Sequence, residues 1–255
     1  AFSTAEITRM KEASERTGKN VVVGLKKMFM PANEKAKQLM DEESFGRTSL
    51  VMTQYPQHIP SLDEFDRYLN KEECVWSVVG FLDHLCHPMS LIVFLLGMPK
   101  TLYYERAPNA AGLATFTFES GIICSLGLTI GSSINGGMER TCIISDRGRH
   151  IVVENNIRLA YHRTPPSEPG TTYGSSPNFF TGTPDQTTAV WEPEFSLGQL
   201  YNKGLFLIGY YNEINEFVRS ILEKRQPLKG TLDQAWQVTR VFEAFAEGPG
   251  KLIQL

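Results

Sequence analysis

Cysteine is scarce: Cys74, Cys86, Cys124 and Cys142 are the four in 255 residues, at irregular spacing. A chain of this length can bury a core without disulfide staples, so a disulfide framework is excluded and the thiols are expected to be reduced, as in a cytosolic protein. An excess of one charge is also missing. Lys and Arg number 25 against 28 Asp and Glu, with no block of like charges, which leaves no footprint for nucleic acid or an anionic membrane as partner. The longest apolar run, around Ser90 to Met98, falls short of the roughly 20 residues a bilayer requires. The opening residues show no signal-peptide pattern, and no internal repeat or low-complexity tract occurs. What remains is ordinary globular composition, at a length that suits one large domain or two small ones.

The chain opens on Ala1-Phe-Ser-Thr without a Met. Ser3 or Thr4, with Glu6 as capping partner, predicts a helix to about Thr17 that stops at Gly18. Asn20 to Leu25 reads as a strand. Helix followed by apolar strand is half of a βαβ repeat, and a parallel strand needs neighbours that do not precede it here. The expectation is a protein missing its beginning. Lys26 to Pro31 forms a basic loop, Pro31 starts a helix ending near Asp41 to Glu43, Thr48 to Gln54 is a strand, and Ser61 caps a short helix to Leu69. A long apolar helix closed by Gly97 follows. From Thr101 to Arg163 six short strands separated by turns at Glu119-Ser-Gly121, Asn135-Gly-Gly137, Asp146-Arg-Gly148 and Glu154-Asn-Asn156 predict an antiparallel meander. Thr164 to Gln199, rich in Pro, Gly, Ser and Thr, reads equally as a binding lid or as a loop without chemistry. Helices are expected over Tyr201 to Arg225 and Leu232 to Glu247, with an edge strand at Lys251 to Leu255.

The chemistry-bearing feature is Asp83 and His87, in Gly80-Phe-Leu-Asp-His-Leu-Cys-His-Pro-Met-Ser-Leu-Ile-Val-Phe-Leu-Leu-Gly97. A spacing of four puts both side chains on one helix face. A carboxylate beside an imidazole orients it and tunes its pKa, and an ionisable pair in an apolar stretch is costly unless paired or open to a cleft. The plain alternative is a structural pair on a solvated face. His84, Cys86 and His87 lie close in sequence, but no further ligand pair has usable spacing, so no metal site is expected. Phe206, Tyr210, Tyr211 and Phe217 at helical spacing read as core positions.

Three stretches together resemble the Gfo/Idh/MocA oxidoreductases, the glucose-fructose oxidoreductase and inositol dehydrogenase group. Gly24-Leu-Lys-Lys-Met-Phe-Met-Pro31 stands where the family has a Gly, basic residues, an aromatic and a Pro. Gly80-x-x-Asp83-x-x-x-His87 with Gly97 matches its Asp-x-x-x-His helix, and Gly230 to Ala235 with Lys251 to Leu255 matches its closing helix and strand. The resemblance implies an α/β remnant of a Rossmann domain over residues 1–30, then an α+β substrate and oligomerisation domain over 31–255 with a large, mainly antiparallel open sheet. It implies hydride transfer between NAD or NADP and a secondary alcohol of a sugar, polyol or derivative. His87 is then the catalytic acid/base and Asp83 orients its ring and stabilises imidazolium. Lys26 and Lys27 bind substrate, and Tyr210 or Tyr211 reaches the nicotinamide side. Separately from the resemblance, an open sheet with apolar residues on its outer face would imply a homodimer or homotetramer through the sheet. The chain departs from the family at Ser90, where a second Asp is frequent, and at Leu85, where Gly is frequent. It has no Gly-x-Gly-x-x-Gly dinucleotide turn, so the chain alone is expected to be inactive. The competing readings are a non-catalytic sugar-binding relative and a domain that serves only in oligomerisation.

Overall fold

Side-chain caps set the helix starts in this computed structural model, which describes residues 3–70, 74–130, 138–163, 188–193 and 204–255. Helix α1 (Thr4–Thr17) begins where the Ser3 hydroxyl accepts from the Glu6 N–H, and ends where Gly18 turns left-handed at φ 64°. Helix α2 (Pro31–Met40) carries Pro31 in its first turn, where the missing N–H costs nothing. Helix α3 (Leu62–Leu69) has a reciprocal cap: Ser61 Oγ accepts from Glu64 N at 3.3 Å, and Glu64 Oε2 accepts from Ser61 N at 2.7 Å. Between α1 and α2 the Asn20 to Leu25 segment is not a strand, contrary to expectation. Its Val23 N–H bonds to Gly230 O at 2.7 Å, and no described strand lies beside it to form a ladder. The basic residues after it form a 3-10 turn, Lys26–Phe29.

Helix α4 (Trp76–Leu96) spans 21 residues and is long and apolar enough, by length and composition, to cross a membrane. Here it is packed as a core helix. Phe81, fully buried, meets Phe65 of α3 with ring centroids 5.9 Å apart, and meets Phe242 and Phe245 of α7 (Leu232–Phe245) at 6.1 and 5.3 Å. The contacts with Phe65 and Phe245 are edge-on and that with Phe242 is tilted; such aromatic pairs add to the area each ring buries.

The meander is present but interrupted. The strands are β1 (Thr48–Tyr55), β2 (Thr101–Arg106), β3 (Gly112–Thr117), β4 (Ile123–Leu128), β5 (Arg140–Ser145), β6 (His150–Glu154), β7 (Arg158–His162), β8 (Ala189–Trp191) and β9 (Ile253–Gln254). Among the described residues they form one open sheet in the order β8-β7-β6-β5-β1-β4-β3-β2-β9. The early strand β1 enters between β4 and β5, antiparallel to β5 and parallel to β4, so Val51 stands opposite Cys124 and Ile143. All other pairs are antiparallel, and β9 closes one edge on β2. One sheet face, with Val51, Tyr104, Phe116, Leu126, Ile143 and Ile151, belongs to the buried core. The other presents Met52, Leu113 and Ile123 to solvent.

The helix expected over Tyr201 to Arg225 is broken within its described part. Helices α5 (Gly204–Leu207) and α6 (Tyr210–Leu222) meet at Gly209, whose φ is 90° and where a Cβ would lie 2.5 Å from Lys26 O. The backbone approaches the basic turn too closely for any side chain, and the helix yields there. The Asn135-Gly-Gly137 turn, residues 201–203 and most of the proposed lid lie outside the described residues; within 188–193 the chain forms β8.

Candidate active site

The basic turn, β1, α4, the start of β5 and the β6–β7 turn converge on His87. Burial is the main reason the imidazole pKa is pulled down to about 4; the positive charges of Lys27 and Lys26 add to this, Glu139 opposes it, and His84 adds a smaller push in the lowering direction. His87 is therefore neutral across the physiological range, a base rather than an acid at rest. Tyr55 lies between the two histidines, its ring centroid 6.3 Å from His87 and 6.4 Å from His84, and its hydroxyl 3.5 Å from His84 Nδ1. Burial, reinforced by Glu139, drives the phenol pKa upward, so Tyr55 keeps its proton. The space beside His87, bordered by Lys27, Tyr55, Glu139, Arg140 and Asn156, is about 10 Å³, room for about one water.

Asp83 is placed differently from the expectation. It is exposed, and no hydrogen bond or ion pair joins it to His87, so it neither orients the ring nor stabilises imidazolium in this arrangement. Both residues occupy one helix face, but they serve different hollows. Asp83 borders a cavity of about 600 Å³ formed with Gly24, Leu25, Trp76, Gly80 and Leu232, a volume that suits a small ligand. Cys86 connects the two. It lines that cavity, its Sγ lies 3.8 Å from His87 Nδ1, and it donates to Asp83 O at 2.9 Å. Burial pushes its thiol up to about 11, so it stays protonated and is not a nucleophile at rest.

The two lysines separate. Lys27, expected at an open mouth, is 4% exposed, and its Nζ lies 2.5 Å from Glu139 Oε2. The Lys27 side chain reaches the half-buried Glu139 carboxylate, and an unpaired ammonium at this depth would be costly. Lys26 remains half-buried, its Nζ 3.4 Å from the Tyr210 hydroxyl and 5.1 Å above the Tyr210 ring. Tyr210 is thus brought to the site's margin, while Tyr211 pairs with Phe206 at 6.2 Å. Glu213, one turn along α6, has a buried carboxylate oxygen without a hydrogen-bond partner, and burial raises its pKa against the pull of Lys26. Ser90, at the position of the family's second Asp, is fully buried and donates to His87 O at 2.9 Å. It supports the backbone of α4 ahead of Pro88 rather than facing a ligand. Among the described residues no group of three or more His, Cys, Asp or Glu side chains is placed to hold a metal ion.

Sequence reasoning missed Tyr55, Glu139 and Asn156. The signal available for Asn156 was the Asn155-Asn156 pair in a turn; both residues are left-handed, at φ 51° and 56°. No local pattern marks Glu139, which is 112 positions from the lysine it pairs with.

Comparisons with known proteins bear on this geometry. Residues 33–150 match the GFO/IDH/MocA C-terminal domain. No curated protein matches the sequence. The fold is similar to that of a dehydrogenase from Chromobacterium violaceum, at 15% identity and a TM-score of 0.72, over 98% of this chain and 67% of that one. It is similar to an oxidoreductase from Agrobacterium radiobacter solved with NAD+, L-tartaric acid and magnesium, at 11% identity and a TM-score of 0.67, over 100% and 70% of the two chains. An aldose-aldose oxidoreductase from Caulobacter crescentus, complexed with glycerol, matches at 14% identity and a TM-score of 0.64, over 100% and 70%. At such identities the likeness establishes the fold, in which an open, mostly antiparallel sheet backs the site helix. Residues 33–150, a little under half of the chain, are similar to the C-terminal domain of the Gfo/Idh/MocA family.

Proposed function

We propose that this chain supplies the substrate side of a NAD(P)-dependent oxidoreductase acting on a secondary alcohol of a sugar, polyol or derivative. The observation that carries the reading is the neutral, partly buried His87 imidazole, on the apolar helix whose Asp83 and Cys86 line a ligand-sized cavity, with the Cys86 thiol between the two hollows. Oxidation of an alcohol needs a base for the hydroxyl proton as hydride departs; His87 is free to accept it at neutral pH, although a pKa of about 4 makes it a weaker base than one poised near the working pH. His87 takes that proton, directly or through one water. Asp83, exposed on the cavity wall, accepts from a neighbouring hydroxyl, and Lys26 donates to another. The known ligands of similar folds, L-tartaric acid and glycerol, are hydroxyl-bearing small molecules and support that class.

The apolar cavity is the proposed seat of the nicotinamide end of the cofactor; Gly80 on its wall adds no side chain to it. When bound, NAD or NADP supplies the hydride acceptor or donor. Tyr210 and Tyr211, both exposed at the start of α6, are the proposed contacts on that side. The chain itself, without a Gly-x-Gly-x-x-Gly turn, binds substrate without turnover. Residues 1–30 are proposed as the tail of a dinucleotide-binding domain.

We also propose self-association through the outer sheet face. Met52, Leu113 and Ile123 are 41%, 53% and 46% exposed there, and Met52 and Leu113 line a groove of about 880 Å³ together with Gln54, Glu105 and Arg140. A mixed apolar and polar face of this kind suits a two-fold contact between copies.

Saturation-transfer NMR of the chain with a panel of polyols and aldoses tests the main reading. Transfer to a polyol that is lost in D83N supports it; no transfer to any member of the panel contradicts it.

A further inference from the structure

Lys27 is held by a polar network drawn from three other elements. Glu139 Oε2 accepts from Lys27 Nζ at 2.5 Å and from Asn156 Nδ2 at 2.7 Å. Asn33 Nδ2, from α2, donates to Lys27 O at 2.9 Å and to Asn156 Oδ1 at 3.0 Å. Lys27, Asn33 and Asn156 are all buried, at 4%, 0% and 5% exposure. Asn156 sits at φ 56°, a conformation Asn tolerates better than most residues, and its inward amide depends on that turn. An ion pair whose lysine is buried and whose carboxylate is 20% exposed is a weak stability device, because an apolar set of the same volume often does as well or better. Its location supplies another use. Lys27 Nζ stands 5.8 Å from the Tyr55 ring centroid, and His87 is 6.3 Å from the same centroid.

We infer that Glu139 and Asn156 are positioning residues: they fix the Lys27 ammonium near the Tyr55–His87 corner, as a permanent cation facing the base. The functional meaning rests on the acid/base reading of His87, whereas the network's geometry stands without it. A fixed cation there discourages protonation of the resting imidazole, and it offers a stationary positive charge to oxygen that becomes anionic as its proton leaves. The other titratable and charged groups around the ring are Lys26 on the same turn, His84 and Cys86 on α4, Tyr55 on β1, and Arg140 beside Glu139 at the start of β5; Asp83, on the same helix face, borders the other hollow. Burial lowers the Lys27 pKa and Glu139 is the main force opposing that fall, so the cation depends on its carboxylate.

NMR titration of Lys27 Cε and His87 Cε1 in the chain, needing neither substrate nor nucleotide, tests the inference. In E139Q the Lys27 midpoint should drop by about one pH unit or more, and in K27M the His87 midpoint should rise by a similar amount. Simple loosening of the structure would hydrate Lys27 and raise its midpoint toward the ordinary value. That rise in E139Q, or an unmoved His87 in K27M, overturns the inference. N156G keeps the left-handed turn and removes the amide. If E139Q does not fold, N156G should show the same fall of Lys27 in smaller measure, and no fall there overturns the inference equally. Polyol binding can fail while these shifts occur, or the reverse, so the two readings are separable.

Discussion

Replacing His87 with Gln should change how stability depends on pH, not only its size. The imidazole titrates at about 4 in the folded chain, against 6.5 for an ordinary histidine. The unfolded chain therefore binds a proton that the folded chain refuses between those values. His87 favours the fold fully above pH ~6.5, and that advantage is lost as pH falls toward ~4. At about 1.4 kcal/mol per pH unit the ceiling is about 3 kcal/mol. The ring is partly open to water, and screening reduces the expected loss to about 2 kcal/mol. Urea unfolding followed by tryptophan fluorescence, on wild type and H87Q between pH ~7.5 and pH ~4.5, measures it. The carboxyls of Glu64 and Glu216, held low by their hydrogen bonds against the cost of burial, also weaken the fold in acid, but they do so in both proteins and cancel in the difference. The wild type should lose about 2 kcal/mol relative to H87Q over this interval. A difference that stays flat with pH would refute the neutral buried imidazole and the base role built on it.

Three further outcomes follow from the packing. Phe81→Ala, at the fully buried junction of α3, α4 and α7, should cost about 3–5 kcal/mol in the same unfolding assay. Ser61→Ala removes one half of the α3 capping box and should cost about 1 kcal/mol, with Ser61→Gly losing only a few tenths. The double change Met52→Glu and Leu113→Glu should leave the fold intact by circular dichroism, yet shift sedimentation toward the monomer, because it charges the outer sheet face without touching the core; an unchanged sedimentation profile would argue against that face as the contact.

Local signals were legible wherever the responsible atoms are neighbours in sequence. Ser3, Ser61 and Pro31 marked helix starts, Gly18 and Gly97 marked ends, and the turn residues marked off the six strands expected between Thr101 and Arg163, which lie there as β2 to β7. What escaped was set by distant partners. The Asn20 to Leu25 stretch has strand composition, but a strand requires a neighbour, and its one long-range backbone bond goes to the loop at Gly230. The break at Gly209 depends on Lys26 O, which no helical period can foresee. β1 reads correctly as a strand, but its place between β4 and β5 is a matter of pairing across some 70 to 100 residues. The site divides the same way. Helical spacing identified Asp83 and His87, while their separation into two hollows, and the capture of Lys27 by Glu139 and Asn156, arise only when β5 and the β6–β7 turn meet the basic turn.

The central claim is that His87 is the base of an alcohol oxidation. Its most direct test is nicotinamide reduction by the whole gene product, with NAD+ or NADP+ and the polyol that binds best, comparing wild type with His87→Gln. The account predicts measurable turnover in wild type and a loss of roughly 10²–10⁴-fold in kcat in the variant, the range that general-base removal costs, with KM little changed. Wild-type and variant rates within a few-fold of each other, or polyol binding with no nicotinamide reduction at all, would contradict it.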